Sequence, residues 1–379
     1  MSSIFVPSQP QCIAGGTKSG QVVLWDMRCG HDPVVCIQPS TKSHNTPIYS
    51  ITYQHNSLEK EAGGGNYLTT LSSDGKLCKW SLRNMSEPIS TSMIQDAAIS
   101  RNSEITAMTS QMTSSSLTSF VIGRDDGVVT PYDQSSSTFM ESAVSGYGNG
   151  NSNGLYHTGP VLSLDYHPVA QGSYSHLSNL LLSASADWTV KLWSVNGILN
   201  SQNSIKNDNN SDNVLNDGIT NEKGERSSIE GSSNNGDDDD DDSEENGRNN
   251  SNSLPLYTFG CNDYVFDAKW SPVHPGTFAV ADGCGTVSLW DITERLDAPI
   301  ISCQCGGGSG GDSGSGRDEI DGVAPSATAL KWNHAGSKIA VGDSFGRIHV
   351  FGVGEHWQMA TAESWAQTNE RVKLMSQNI

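Results

Sequence analysis

Three carboxylates recur at one position of a repeated pattern and are the first place to look for chemistry. Asp74, Asp126 and Asp187 each stand six residues ahead of an aromatic, Trp80, Tyr132 and Trp193. Carboxylates gathered on one rim could serve as acid and base or hold a cation. Each, however, falls at a turn position, so hairpin geometry explains it better than catalysis. The ten histidines are dispersed, and no His-x-x-x-His or nucleophile-elbow pattern occurs. Gly306 to Gly311 is glycine-rich but lacks the Lys and the strand-to-helix context of a phosphate loop, which makes it a linker. Cys303-Gln304-Cys305 is too closely spaced for the usual metal pair, and no second pair completes it. No catalytic, cofactor-binding or metal-binding residue is expected, and the chain reads as a non-enzyme.

What must position any site is a repeated hairpin. The aromatic recurs at Trp25, Trp80, Tyr132, Trp193, Trp290 and Phe351, and six residues before each lies Ser19, Asp74, Asp126, Asp187, Cys284 or Phe345. Gly follows five of those six as Gly20, Gly75, Gly127, Gly285 and Gly346, while Trp188 replaces it in the fourth unit. A two-residue hairpin turn calls for φ > 0, which Gly supplies without a Cβ clash. Small and apolar strands precede the turns, as in Leu181 to Ala186, and Thr189 to Trp193 alternates as the strand that follows. Five units carry a further alternating strand upstream, beginning near Ile48, Ile105, Val161, Tyr264 and Thr328. Six copies at fixed offsets predict an all-β fold, a WD-repeat β-propeller with about six recognisable blades and a short C-terminal helix. The first blade reads as incomplete, because no alternating strand is legible before Gly15-Gly16. A propeller ring must close to bury its blade faces, so the expectation is a seven-bladed parent of which this is the C-terminal part.

The hydrophobic fraction of 35% over 379 residues is diluted by polar tracts. No apolar run approaches the ~20 residues of a membrane span, and the opening MSSIFVPSQP has no secretory pattern. The eight cysteines are expected to be reduced thiols. The net charge is −20, and half of it comes from 196–254, where 14 acids face 4 bases. Nothing supplies the basic stripe that nucleic acid requires.

The predicted organisation is a propeller over 1–353, with disordered inserts at 134–154, 197–253 and 305–317, then a helix over 355–375. The 197–253 tract, rich in Asn, Ser and Asp, cannot bury enough apolar surface to offset its ordering entropy. It reads as an inert expansion between blades rather than an acidic docking tail. His31 to Thr46 reads as a loop, and Ser90 to Ile94 and Pro255 to Phe259 as outer strands. The last helix is inferred from Trp357, Ala360, Trp365, Val372 and Leu374 in a stretch free of Pro and Gly.

Four stretches are more specific than the repeat: GGTKSGQVVLWD from Gly15, SDGKLCKWSL from Ser73, DWTVKLW from Asp187, and Pro255 through Trp290. Together they resemble the C-terminal propeller of the dynein intermediate chains, nearer the cytoplasmic than the axonemal branch. Trp188 belongs to that family's D-W-T-V-K-L-W pattern, and the Asp263-Tyr264-Val265 and Ser271 to Pro275 stretches belong to it as well. So does the Gly342-to-Ile348 blade. The resemblance implies a motor subunit, cytoplasmic and microtubule-associated, whose propeller docks on the tail of the dynein heavy chain. The family's N-terminal region, implied to bind dynein light chains and dynactin, has no counterpart in these residues. The other readings are a generic WD-repeat adaptor, of the ubiquitin-ligase receptor or histone-binding type, and an enzyme built on a propeller scaffold. Partner contacts are expected on the rim, at His157, Trp188, Asp263 and Tyr264, with no nucleic acid or membrane involved. An aromatic at a hairpin tip is either packed on a neighbouring blade or a contact anchor; packing is the expectation for Trp188.

Overall fold

The computed structural model describes residues 2–56, 65–94, 104–110, 119–133, 138–139, 156–168, 177–194, 255–305 and 325–377. The strands form six antiparallel sheets, one per blade of a β-propeller. Blade 1 is β1 (Ser3–Val6), β2 (Gln9–Gly16), β3 (Val22–Asp26) and β4 (Val35–Ile37). Blade 2 is β5 (Ile48–Asn56), β6 (Gly65–Ser72), β7 (Lys76–Ser81) and β8 (Ser90–Met93). Blade 3 is β9 (Ile105–Ser110), β10 (Ser119–Arg124), β11 (Val129–Asp133) and β12 (Thr138–Phe139). Blade 4 is β13 (Val161–Tyr166), β14 (Leu180–Ser185), β15 (Thr189–Ser194) and β16 (Tyr257–Gly260). Blade 5 is β17 (Val265–Trp270), β18 (Thr277–Asp282), β19 (Thr286–Asp291) and β20 (Ile301–Gln304). Blade 6 has three strands, β21 (Ala327–Trp332), β22 (Lys338–Asp343) and β23 (Ile348–Gly352).

Several expectations need correction. Blade 1 is a four-stranded sheet, so it is not incomplete: Ser3 pairs with Gly15 and Phe5 with Ile13, and Val35 to Ile37 pairs with β3 inside the expected loop. These strands escaped notice because each has only three or four residues and one exposed side, too short for alternation to register. The hairpins turn through three residues, not two. Thr17 N–H reaches the carbonyl of Gln21 and Gly20 N–H that of Thr17, and the same bonds recur at Arg124 to Val128 and Asp343 to Arg347. Such loops place the third residue in the left-handed region. Gly20, Gly75, Gly127, Gly285 and Gly346 sit there at φ of +76° to +85°, and Trp188 joins them at +68°.

The topology also moves the acidic tract. Tyr257 pairs with Leu192 and Phe259 with Val190, so Pro255 to Phe259 closes blade 4 instead of opening blade 5. The tract therefore interrupts blade 4 between its third and fourth strands; its own residues lie outside those described. So does 306–324, whereas Cys305 is described and buried. Thr138–Phe139, inside the expected 134–154 insert, is the outer strand of blade 3, and the remainder of that insert lies outside the described residues. The C-terminal helix α1 covers Ala362–Gln377, after a single 3-10 turn at Glu355–Trp357. It begins late because Thr361 caps it: Thr361 and Ser364 exchange side-chain to backbone hydrogen bonds, the reciprocal logic of a capping box. Among the described residues, no helix is long and apolar enough to cross a membrane.

The core lies between blades. At the junctions of blades 1 and 2, 4 and 5, and 5 and 6, the repeat aromatic of the later blade faces the earlier one, and an aliphatic pair of the earlier blade's third strand faces the later. Val190 and Leu192 of blade 4 thus share one buried cluster with Val265, Ala268, Trp270 and Trp290 of blade 5, and Trp365, Val372 and Met375 of α1 pack there too. Val287 and Leu289 pack in turn against Leu330, Trp332 and Val341 of blade 6.

Candidate functional site: an aromatic rim over a buried relay

The turn carboxylates do what the sequence suggests. Asp74 Oδ1 accepts from Lys76 N–H, Asp126 Oδ1 from Val128 N–H and Asp187 Oδ1 from Thr189 N–H, each binding a backbone group two residues on. Asp126 is also paired with Arg124.

Blade 4 adds an arrangement that sequence reading missed. Ser183 Oγ lies 2.6 Å from His157 Nε2, and His157 Nδ1 lies 2.9 Å from Asp187 Oδ2. A Ser, a His and an Asp in that order have the geometry of a nucleophilic triad. Two observations assign it to structure. The Trp193 indole N–H donates to the same Ser183 oxygen at 2.8 Å, and Ser183 is fully buried beneath the hairpin. Blade 2 repeats the relay in altered form: Trp80 donates to Thr70, Thr70 meets His44 Nε2, and His44 Nδ1 meets Ser72, which donates to Asp74. A chain of donors running from the Trp of one strand to the turn Asp ties the hairpin to the segment before the blade. Burial pushes the Asp187 carboxyl up, but bonds from His157, Thr189 and Thr158 outweigh it and hold it well below the usual range. Burial lowers His157 against the pull of Asp187, and brings His44 down to about 4. The signal that could have found the relay was His157 lying 26 residues before Ser183, as His44 lies 26 before Thr70.

His157, expected as a partner contact, is 2% exposed with both ring nitrogens engaged, so it cannot reach a partner. The other three expected residues come together above it. Trp188 and Tyr264 are 49% and 50% exposed, and their rings meet edge to face with centroids 6.3 Å apart. Asp263 lies beside them, with Oδ1 accepting from Tyr264 N–H and Oδ2 3.3 Å from the Cys284 thiol. Trp188 does pack on the next blade, as expected, but on a side chain as exposed as itself. The rim is fastened by backbone bonds, Cys261 N–H to the Trp188 carbonyl and Gly283 N–H to the Tyr264 carbonyl. Gly283 leaves room for the Asp263 carboxylate, since a Cβ there would stand 2.6 Å from Oδ2 and displace that side chain. A non-Gly residue in the left-handed region costs on the order of 1 kcal/mol or more, and half-burial of the indole is of at least comparable size.

A second charged cluster crosses the inner strands. Lys269 Nζ lies 3.3 Å from Asp267 and 3.0 Å from Ser163 Oγ; Asp267 also accepts from Ser163 and from Leu330 N–H, and Asp165 from Trp270 N–H. Burial lowers the Lys269 ammonium, yet Asp267 and Asp165 raise it further, so it stays charged. Every member is satisfied by another, so the cluster stitches blades 4, 5 and 6 together. Among the described residues, no group of His, Cys, Asp and Glu is placed to hold a metal ion.

No family model matches the chain. Across its whole length, with gaps, it is 28% identical to the cytoplasmic dynein 1 intermediate chain of Drosophila melanogaster. It spans 44% of that protein's length. The similarity of this propeller to the dynein intermediate chain therefore concerns less than half of that protein.

Proposed function

We propose that this chain is a non-catalytic subunit of a cytoplasmic dynein motor, whose propeller docks on the tail of the heavy chain and so joins it to light chains and cargo. The observation that carries the reading is a match to a dynein intermediate chain extending over all six blades. The rim formed by Trp188, Asp263 and Tyr264 is the proposed contact surface, with His157 beneath it as a fastener. Light-chain and dynactin binding would belong to residues outside this chain, and the expected location is cytoplasmic and on microtubules. We take 1–353 as one folding unit to which the C-terminal helix is attached, because Trp365 and Val372 share the core of blades 4 and 5. The uncovered flanks of blades 1 and 6 support a seventh blade between them in the parent protein.

The test is a pull-down of the full chain against a recombinant dynein heavy-chain tail fragment. Capture of the tail, with no capture of the isolated motor domain, is the expected result. A folded chain that leaves the tail in the flow-through overturns the reading and favours a generic WD-repeat adaptor.

A further inference from the structure

Five of the six hairpin tips carry the glycine that a left-handed residue favours; the fourth carries Trp188 at φ +68°. Trp188 is 49% exposed, and the ring it meets is that of Tyr264 on the next blade. Its neighbour Tyr264 is equally open, and the two rings stand at 86° to one another, so that the face of one and the edge of the other bound a common corner. Asp263 immediately precedes Tyr264, and its Oδ1 accepts from the Tyr264 N–H. Among the described residues, no Lys, Arg or His lies within ion-pair distance of its carboxylate, in contrast to Asp26, Asp126, Asp187 and Asp343, each of which holds a basic side chain. Behind it lies Asp282, whose carboxylate accepts from Thr286 N–H.

We infer that the corner between Trp188 and Tyr264 is a receptor for an arginine side chain presented by an extended basic segment of a protein partner. A guanidinium is planar, weakly hydrated and always charged, so it stacks on an aromatic face while its N–H groups reach a carboxylate. Trp gives the strongest such contact. Asp263 Oδ1 accepts from the Tyr264 N–H and Oδ2 from the Cys284 thiol, one bond each, which leaves a lone pair on each oxygen for incoming donors. The chain's charge of −20 draws a basic segment toward the molecule, and the aromatic corner selects arginine over lysine at the end point. The inference rests on the proposal that this rim meets a protein; it names the chemistry of the contact.

The experiment titrates the full chain with an acetylated, amidated peptide of five arginines alternating with serine, followed by calorimetry. The same peptide with citrulline for arginine, and again with lysine, separates charge from shape. The expected result is binding of the arginine peptide, tenfold or more weaker for citrulline and severalfold weaker for lysine. Trp188→Gly restores the residue the other five tips use, so the melting temperature should hold or rise while affinity falls tenfold or more. Tyr264→Ala gives a second reading at an exposed position, and Asp263→Asn should weaken binding severalfold. Equal affinity in Trp188→Gly and Tyr264→Ala overturns the inference. So does loss of binding when Asp237 to Asp242 are replaced by Asn, which would place the peptide on the acidic tract. Running the heavy-chain tail against the same variants separates the two proposals. Tail capture that survives Trp188→Gly sinks the arginine corner and spares the motor reading; arginine binding without tail capture does the reverse.

Discussion

The junction between blades 4 and 5 and the outer flank of blade 6 are built from the same positions of the repeat and end in opposite states. In the junction, Val190 and Leu192 of β15 are sealed beneath Val265, Ala268 and Trp270 of the next blade. Their counterparts in β23, Ile348 and Val350, are 76% and 63% exposed. At the other end of the chain, Phe5 of β1 occupies the position of Trp270 and is 58% exposed. The glycines tell the same story. A Cβ on Gly16 or Gly123 would run into Ile48 or Val161 of the following blade at 2.5 Å, whereas at the matching Gly342 it meets only Ala329 of its own sheet at 3.9 Å. Identical sequence positions therefore carry most of the stability in one place and almost none in the other. The repeat supplies the residues, but a neighbouring blade supplies their energy.

The largest contrast expected is at the aromatic. Trp270→Ala should cost about 4 kcal/mol, the usual loss for a buried aromatic, and Phe5→Ala less than about 0.5 kcal/mol; urea denaturation of both variants reads the difference. A second contrast should appear on acidification. His167, buried in the junction with Nε2 bound to the Pro275 carbonyl of blade 5, is brought down to about 4 by burial, as is His44. Such a histidine is neutral in the native state, while the unfolded chain takes up a proton near the ordinary 6.5. Stability should be full above pH 6.5 and fall as pH drops toward 4, by roughly 3 kcal/mol at most for each residue. Hydrogen exchange should show blades 4 and 5 opening over that interval, and a His167→Gln variant should flatten part of the slope.

Smaller effects sharpen the same comparison. Leu192→Ala should lose about 3 kcal/mol by chemical denaturation, and Val350→Ala, at the matching position of blade 6, under about 0.5 kcal/mol. Gly123→Ala should lose about 1–3 kcal/mol through overpacking on Val161. Gly342→Ala should be neutral or gain up to about 1 kcal/mol, because the unfolded chain loses freedom and nothing in the fold is displaced. A substantial penalty at Gly342 would mean that its flank is covered in solution. Trp188→Gly should gain about 1 kcal/mol or leave stability unchanged; a clear loss in thermal melts would mean that the contact with Tyr264 outweighs the left-handed backbone.

Much of this was legible from single residues. Asp187, Thr189 and Trp193 announce a hairpin because the turn chemistry is local: a carboxylate bonds an amide two residues away, and strand alternation needs only neighbours in sequence. The same locality identified Trp188 as an exception to the glycine rule; that Tyr264, far along the chain, stands against it was decided by the fold. What was not legible depended on residues distant in the chain. His157 looked like a rim residue because it precedes a strand; that it lies beneath the hairpin follows from bonds to Ser183 and Asp187, 26 and 30 positions on. The acidic tract looked like a spacer between blades because its flanks each resemble a strand; that it interrupts blade 4 is a matter of which strand Tyr257 pairs with.

By itself, the sequence determined the repeat, its six hairpins and the exceptional turn at Trp188, since all of these are set by spacing and by backbone preferences within a few residues. Tertiary structure alone decided which of the equivalent residues are buried. Val190 and Ile348 differ little as side chains, and the free energy of each is that of the water it displaces, which depends on whether another blade lies against it.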